Sequence, residues 1–176
     1  MLELCALAEK LGNSIFLLGT GSQDVLDKAV IELKKKFANL KIAGTDPGPK
    51  INIQYPISNI KNSNIVDSSR LIRNASADVV SKINATKPDI LFVAFGQVKQ
   101  EKWINEYLLQ MPSVKIAMGV GGAIDYISGN VSRAPLFLRK IGLEWLWRLM
   151  RQPTRWKRIL NATFKFLFIA VFSKKI

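Results

Sequence analysis

Three times along this chain a short apolar run ends in glycine and gives way to a pattern of helical period. Ser14-Ile15-Phe16-Leu17-Leu18 stops at Gly19-Thr20-Gly21, Ile90-Leu91-Phe92-Val93-Ala94-Phe95 stops at Gly96, and Val114–Met118 stops at Gly119-Val120-Gly121-Gly122. Strands that are apolar throughout, rather than at alternate positions, are buried on both faces, as in a parallel sheet covered by helices. The rhythm therefore predicts an α/β fold.

The segments between these runs fill in the pattern. Ser22 is placed to cap a helix with Asp24 in its first turn, and Val25, Leu26, Ala29, Val30, Leu33 and Phe37 recur at helical spacing. Leu40–Ala43 reads as the next strand. Residues 45–66, with Pro47, Pro49 and Pro56 among Gly, Asn and Ser, read as a long loop of the kind that is often functional. Helical spacing returns from about Ser76 to Ala85 and again over Glu101–Leu109. The expected architecture is a mainly parallel, Rossmann-like sheet with helices on both faces. Met1–Leu11 has an amphipathic helix pattern, not a signal peptide, and starts without a capping residue, so the chain is expected to begin inside a fold.

Composition removes several chemistries. Without histidine there is no Ser-His-Asp or Cys-His pair and no histidine-liganded zinc, and the lone Cys5 can form neither an intrachain disulfide nor a cysteine cluster. A reducing cytoplasm is the expected compartment. The net charge of +13 is uneven: residues 1–132 hold 15 basic and 12 acidic groups, whereas residues 133–176 hold 11 basic groups and only Glu144. That division sets the expected organisation, with a sheet domain over 1–132 and a basic, aromatic helical appendage over 133–176. The appendage carries Trp145, Trp147 and Trp156, and its apolar stretch 159–172, interrupted by Asn161 and Lys165, is short for a membrane span. It reads equally as an in-plane interfacial helix or as core. Arg148, Arg155 and Arg158, with Arg151, share one side of a helix broken at Pro153, and arginines there suit a diphosphate or phospholipid headgroup, or form a solvated face.

The three glycine turns are the candidate sites, since a strand-to-helix turn offers N–H groups and a helix dipole to phosphate. Gly19-Thr20-Gly21-Ser22 lacks the third glycine of a dinucleotide fingerprint and is equally readable as a tight turn. Gly96-Gln97-Val98-Lys99-Gln100-Glu101 places polar groups beyond a strand end, as a ligand site or as a solvated first turn. Asp125, beyond the last turn, could accept hydrogen bonds from sugar hydroxyls or cap the next helix.

Taken in order, Pro88–Gly96 with Lys99-Gln100-Glu101-Lys102-Trp103-Ile104, Gly119-Val120-Gly121-Gly122-Ala123-Ile124-Asp125 with Gly129, and Arg133-Ala134-Pro135 with Gly142-Leu143-Glu144-Trp145-Leu146 and Arg148-Leu149 resemble the WecG/TagA/CpsF glycosyltransferases, over most of residues 12–160. The resemblance implies an inverting, metal-independent enzyme without cofactor, peripheral on the cytoplasmic face of the bacterial membrane. Such an enzyme moves N-acetylmannosamine or a related sugar from UDP to a polyprenyl-diphosphate-linked N-acetylglucosamine, in teichoic acid or other surface polysaccharide synthesis. It further implies that Gly19, Gly21, Gly96, Lys99, Glu101, Gly119, Gly121, Gly122, Asp125 and Arg133 bind substrate and that Gln100 is the catalytic residue. Arg148, Arg155 and Arg158 would hold diphosphate on a membrane-contacting appendage. The implied partners are the UDP-sugar, the lipid-linked acceptor and an anionic membrane, not nucleic acid, with homo-oligomerisation left open. Val98 stands where the family pattern has Pro, and the family's amino-terminal Asp-Gly motif, whose Asp looks like the base, has no match. The chain is thus expected to be an N-terminally shortened member. The competing expectation is a non-catalytic module that binds nucleotide sugar or anionic membrane.

Overall fold

The computed structural model describes residues 1–48 and 65–132, with backbone only over 65–73, and beyond them Pro135, Phe137, Lys140, Ile141, Gly142 and Trp147. The chain divides into two compact units, Met1–Val131 and Ser132–Ile176. In the first unit the elements run α1 (Leu2–Leu11), β1 (Ser14–Gly19), α2 (Gln23–Lys36), β2 (Lys41–Asp46), α3 (Ile65–Thr86), β3 (Ile90–Ala94), α4 (Lys99–Tyr107), a single 3-10 turn (Leu108–Gln110), β4 (Ile116–Gly119) and α5 (Ala123–Ile127).

The four strands form one sheet in the order β2-β1-β3-β4, and every pairing is parallel. Side chains alternate across it, which is why both faces of the apolar runs are used. Ile15, Leu17, Ile90 and Phe92 point to one face, where Cys5 and Ala8 of α1, Leu26, Ala29 and Leu33 of α2 and Ile124 of α5 cover them. Phe16, Leu18, Leu91 and Val93 point to the other, against Val79, Val80 and Ile83 of α3, Trp103 and Tyr107 of α4, and Met111. Each fully buried large side chain contributes about 1.5–3 kcal/mol relative to exposure. Burial also pushes the Cys5 thiol up to about 11, leaving it a packing group rather than a nucleophile.

Helix α1 ends because Gly12 takes a left-handed conformation (φ 71°), which lets the Gly12 and Asn13 N–H groups donate back to the Glu9 and Ala8 carbonyls. At the amino end of the sheet Asp89 ties strands together. Its carboxylate accepts from the Ser14 N–H (2.8 Å) and hydroxyl (3.0 Å) and pairs with Lys115 (2.8 Å). These contacts hold the Asp89 carboxyl down at about 2.

Several boundaries differ from the sequence reading. Strand β2 runs to Asp46, three residues beyond Ala43, with a register slip opposite Ile15/Phe16 that sets Gly44 against the Phe16 ring. Helix α3 begins at Ile65, eleven residues before Ser76, so the last two residues of the expected loop and the unassigned stretch after it are helical. Helix α4 starts at Lys99 rather than Glu101. Residues 49–64 of the expected loop and the apolar stretch 159–172 lie outside the described residues. Among the described residues no helix is long and apolar enough to cross a membrane.

Candidate functional site

Because the sheet is parallel, all four strands deliver their carboxyl ends to one edge, and the register aligns them: Leu18 pairs with Asp46, Gly19 with Ala94, and Val93 with Gly119. The strand order reverses between β1 and β3, and the helices leaving those strands pack on opposite faces, α2 with the first cluster and α4 with the second. A crevice opens where helices diverge in this way, and open α/β sheets bind ligands there.

The glycines at this edge fall into two physical kinds. At Gly19 (φ 114°) a Cβ would lie 2.8 Å from the Ala94 carbonyl carbon, at Gly48 (φ 79°) 2.4 Å from the Phe95 ring, and at Gly119 2.6 Å from the Gln100 amide nitrogen. These three are glycine because the protein itself fills the space. Gly21 (φ 72°), Gly96 (φ 83°) and Gly121 (φ 51°) hold a left-handed backbone, but a Cβ there meets nothing within 4 Å among the described residues. Their α-carbons follow β1, β3 and β4 and are clear of the other described residues.

The turn after β1 is stitched to both neighbours: the Thr20 N–H donates to the Ala94 carbonyl (3.3 Å) and the Gly21 N–H to the Pro47 carbonyl (3.0 Å). Those two amides are therefore spent inside the protein rather than offered to phosphate. Ser22 does sit at the N-cap of α2, in extended conformation, but without a side-chain capping bond.

Gln100 is the best-defined polar group of the edge. It is buried on the second residue of α4. Its Oε1 accepts from the Gly121 N–H (3.1 Å), and its Nε2 donates to the Glu101 carboxylate (2.8 Å). Both ends of the amide are engaged, so it locks the turn after β4 to the start of α4. A carboxamide does not take a proton at neutral pH, and what this geometry shows of Gln100 is that it joins the turn after β4 to the start of α4. Glu101 is exposed, and its carboxyl is lowered by the Gln100 amide first and then by its own and the Val98 N–H groups. Accepting from the N-cap amide three residues back is one half of a capping box. Val98 itself holds φ 70°, unusual for a β-branched residue and closed to proline, whose ring fixes φ near −65°. Asp125 is the third residue of α5, not its cap, which is Gly122. A Cβ at Gly122 would lie 3.9 Å from Asp125 Oδ2. Among the described residues no three His, Cys, Asp or Glu side chains converge as metal ligands.

The family model described as glycosyl transferase WecG/TagA/CpsF family matches residues 1–176. The chain belongs to that family. It is 35% identical over 159 residues to an N-acetylglucosaminyldiphosphoundecaprenol N-acetyl-beta-D-mannosaminyltransferase of Bacillus subtilis, covering 90% of this chain and 52% of that protein. To the protein of the same description in Bacillus spizizenii it is 32% identical over 154 residues, covering 88% and 50%. The chain thus spans about half the length of the curated relatives it matches.

Of the site residues expected for a WecG/TagA/CpsF member, the sheet edge brings together Gly19, Gly21, Gly96, Lys99, Gln100, Glu101, Gly119, Gly121, Gly122 and Asp125. Arg133, Arg148, Arg155 and Arg158 lie outside the described residues. In the second unit, the Trp147 indole N–H donates to the Ser132 carbonyl (3.2 Å).

The sequence reading missed a fourth strand-end turn, Asp46-Pro47-Gly48. Asp46 is buried. Its Oδ1 accepts from the Gly48 N–H (2.8 Å), and its Oδ2 pairs with Lys82 of α3 (2.6 Å). Thr45-Asp46-Pro47-Gly48 has the composition of a turn, which concealed that the strand continues into it.

Proposed function

We propose that this chain supplies the donor-binding half of an inverting glycosyltransferase that moves N-acetylmannosamine, or a related sugar, from UDP to a polyprenyl-diphosphate-linked N-acetylglucosamine. The observation that carries this is the open row of left-handed glycines, Gly21, Gly96 and Gly121, bordering the β1/β3 crevice in a member of this family. Backbone without side chains lets a diphosphate approach the α-carbons closely.

In such a transfer the acceptor hydroxyl oxygen bonds to the anomeric carbon on the face opposite UDP. The anomeric carbon–phosphate oxygen bond breaks with its electron pair leaving on UDP, and the hydroxyl proton passes to a base. The described residues serve the leaving group better than the base. Gln100 fixes the turn on which the nucleotide would rest, and Lys99, at the first position of α4, and the amides around Gly96 and Gly122 provide positive charge and donors. Glu101, already held ionised by three donors, is a weak proton acceptor. Arg133, Arg148, Arg155 and Arg158 would add positive charge toward the acceptor's diphosphate, on a tail that holds the protein peripherally at the inner membrane face. The transfer is metal-independent in this reading.

Calorimetry with UDP is expected to show binding to this chain. A version extended to the length of the relatives should form disaccharide from UDP-N-acetylmannosamine and a prenyl-diphosphate N-acetylglucosamine, with turnover insensitive to EDTA. Absence of UDP binding, or of product from the extended chain, would refute the reading. UDP binding by the present chain without turnover locates the base outside it.

A further inference from the structure

The turn Asp46-Pro47-Gly48 takes no part in the reading above, yet it is wired into the edge on both sides. Pro47 receives the Gly21 N–H (3.0 Å), and Gly48 lies so close to the Phe95 ring that a Cβ would stand 2.4 Å from it. One short turn thereby braces the strand ends on both sides of the crevice, β1 through Gly21 and β3 through Phe95. Phe95 passes the contact inward, edge-on to Trp103 (5.6 Å between centroids), whose indole N–H reaches Ser76 of α3 (3.3 Å).

Beneath the turn sits a carboxylate that turn formation alone does not require. Asp46 is 4% exposed, and a buried charge is costly unless it is paired. It is paired from a distance of 36 residues by Lys82, whose side chain remains 64% exposed, so only one partner of the ion pair is desolvated. An amide or hydroxyl could hold the Gly48 N–H equally well. What the acid adds is attachment of the turn to α3.

We infer that Asp46 is a positioning residue for the crevice: through the Gly48 N–H and Lys82 it fixes the turn whose Pro47 carbonyl sets the backbone of Gly21, and it touches nothing bound there. The inference rests on the proposed nucleotide site only for its effect on binding, since the effect on Gly21 exists without ligand.

The test compares Asp46→Ala, Asp46→Asn and Lys82→Met with Lys115→Met, which breaks an ion pair at the opposite end of the sheet. Hydrogen exchange of the Gly21 and Gly48 amides and calorimetry with UDP are read on each. Asp46→Ala should speed exchange at both amides and weaken UDP binding about tenfold, the worth of roughly one lost hydrogen bond. Asp46→Asn, which keeps the acceptor for Gly48 but gives up the ion pair with Lys82, should restore slow Gly48 exchange while leaving Gly21 exchange fast, as in Lys82→Met. Lys82→Met should speed Gly21 exchange while keeping the carboxylate, and it serves in place of Asp46→Ala if that variant does not fold. Lys115→Met should lower the melting temperature and leave Gly21 exchange and UDP affinity as in the wild type. Unchanged Gly21 exchange in both Asp46→Ala and Lys82→Met overturns the inference, as does an equal effect of Lys115→Met. If the wild type binds no UDP, the proposed function falls and Gly21 exchange alone decides the role of Asp46.

Discussion

Gly119 and Gln100 offer a sharp test of the edge geometry, because the structure makes one the reason for the other. Gly119 carries no positive φ, so alanine is conformationally permitted there, yet its Cβ would lie 2.6, 2.8 and 2.9 Å from the Nε2, Cδ and Cγ atoms of Gln100. The buried Gln100 side chain has to move, surrendering its acceptor contact with the Gly121 N–H (3.1 Å). Overpacking of this kind costs about 1–3 kcal/mol and the lost hydrogen bond about 1, so Gly119→Ala should destabilise by roughly 2–4 kcal/mol. Gln100→Ala loses the same bond and leaves a small void, at about 2 kcal/mol. In the double variant the new Cβ occupies space the glutamine has vacated, so its cost should match Gln100→Ala alone. The coupling between the sites is then about 2 kcal/mol or more in the direction of rescue. Urea unfolding of the four proteins, read by circular dichroism with equal m-values, measures it. An additive double variant, or a neutral Gly119→Ala, would show that Gln100 does not fill the space beside Gly119.

Three further outcomes are expected. Gly96→Ala and Gly121→Ala, which strain φ but meet no atom of the described residues, should cost only about 1–2 kcal/mol of stability while abolishing most UDP binding, whereas Gly19→Ala, set against the Ala94 backbone, should fail to yield folded protein. Asp89, held at about 2 instead of the ordinary 3.8 and a quarter exposed, contributes about 1–2 kcal/mol that is fully present above pH 4 and lost as pH falls toward 2. Asp89→Asn should therefore flatten the acid limb of a melting-temperature profile between pH 5 and pH 2 relative to wild type, and a parallel limb would refute the assignment. Val98→Gly should raise stability by about 1 kcal/mol by relieving φ 70°. Val98→Pro, which forbids that angle and removes the amide that Glu101 accepts, should loosen the first turn of α4, visible as faster amide exchange there.

Much of the sheet was legible because its cause is local. Continuous apolar runs such as Ile90–Val93 can only be buried on both faces, and a glycine at the end of each fixes where the chain turns. The first half of α3 was not legible, because Ser68, Ser69 and Asn74 have the composition of a loop. In the structure α3 is one helix from Ile65 to Thr86, and the burial of Val79 and Ile83 in its second half against the sheet is tertiary information that propensity does not register. Strand β2 was cut short for a related reason: Gly44-Thr45-Asp46-Pro47 reads as a turn until the Phe16 ring, which takes the place of a side chain at Gly44, and Lys82, which pairs with Asp46, are brought in from distant parts of the chain.

The same distinction governs the site. A glycine in sequence announces that a side chain is excluded, but not by what. Gly19, Gly48 and Gly119 exclude one because Ala94, Phe95 and Gln100 stand there, and Gly21, Gly96 and Gly121 because their backbone is left-handed, with no other described residue within reach of a Cβ. Both kinds belong to one construction. The filled positions press neighbouring strand ends into register and spend the Thr20 and Gly21 amides on the protein itself. That rigidity keeps the open positions aligned over β1, β3 and β4 without any ligand present. On the proposed function, a nucleotide entering a crevice preorganised in this way would not have to order its backbone, so tightening at the filled glycines and at Asp46 should be read out as affinity at the open ones.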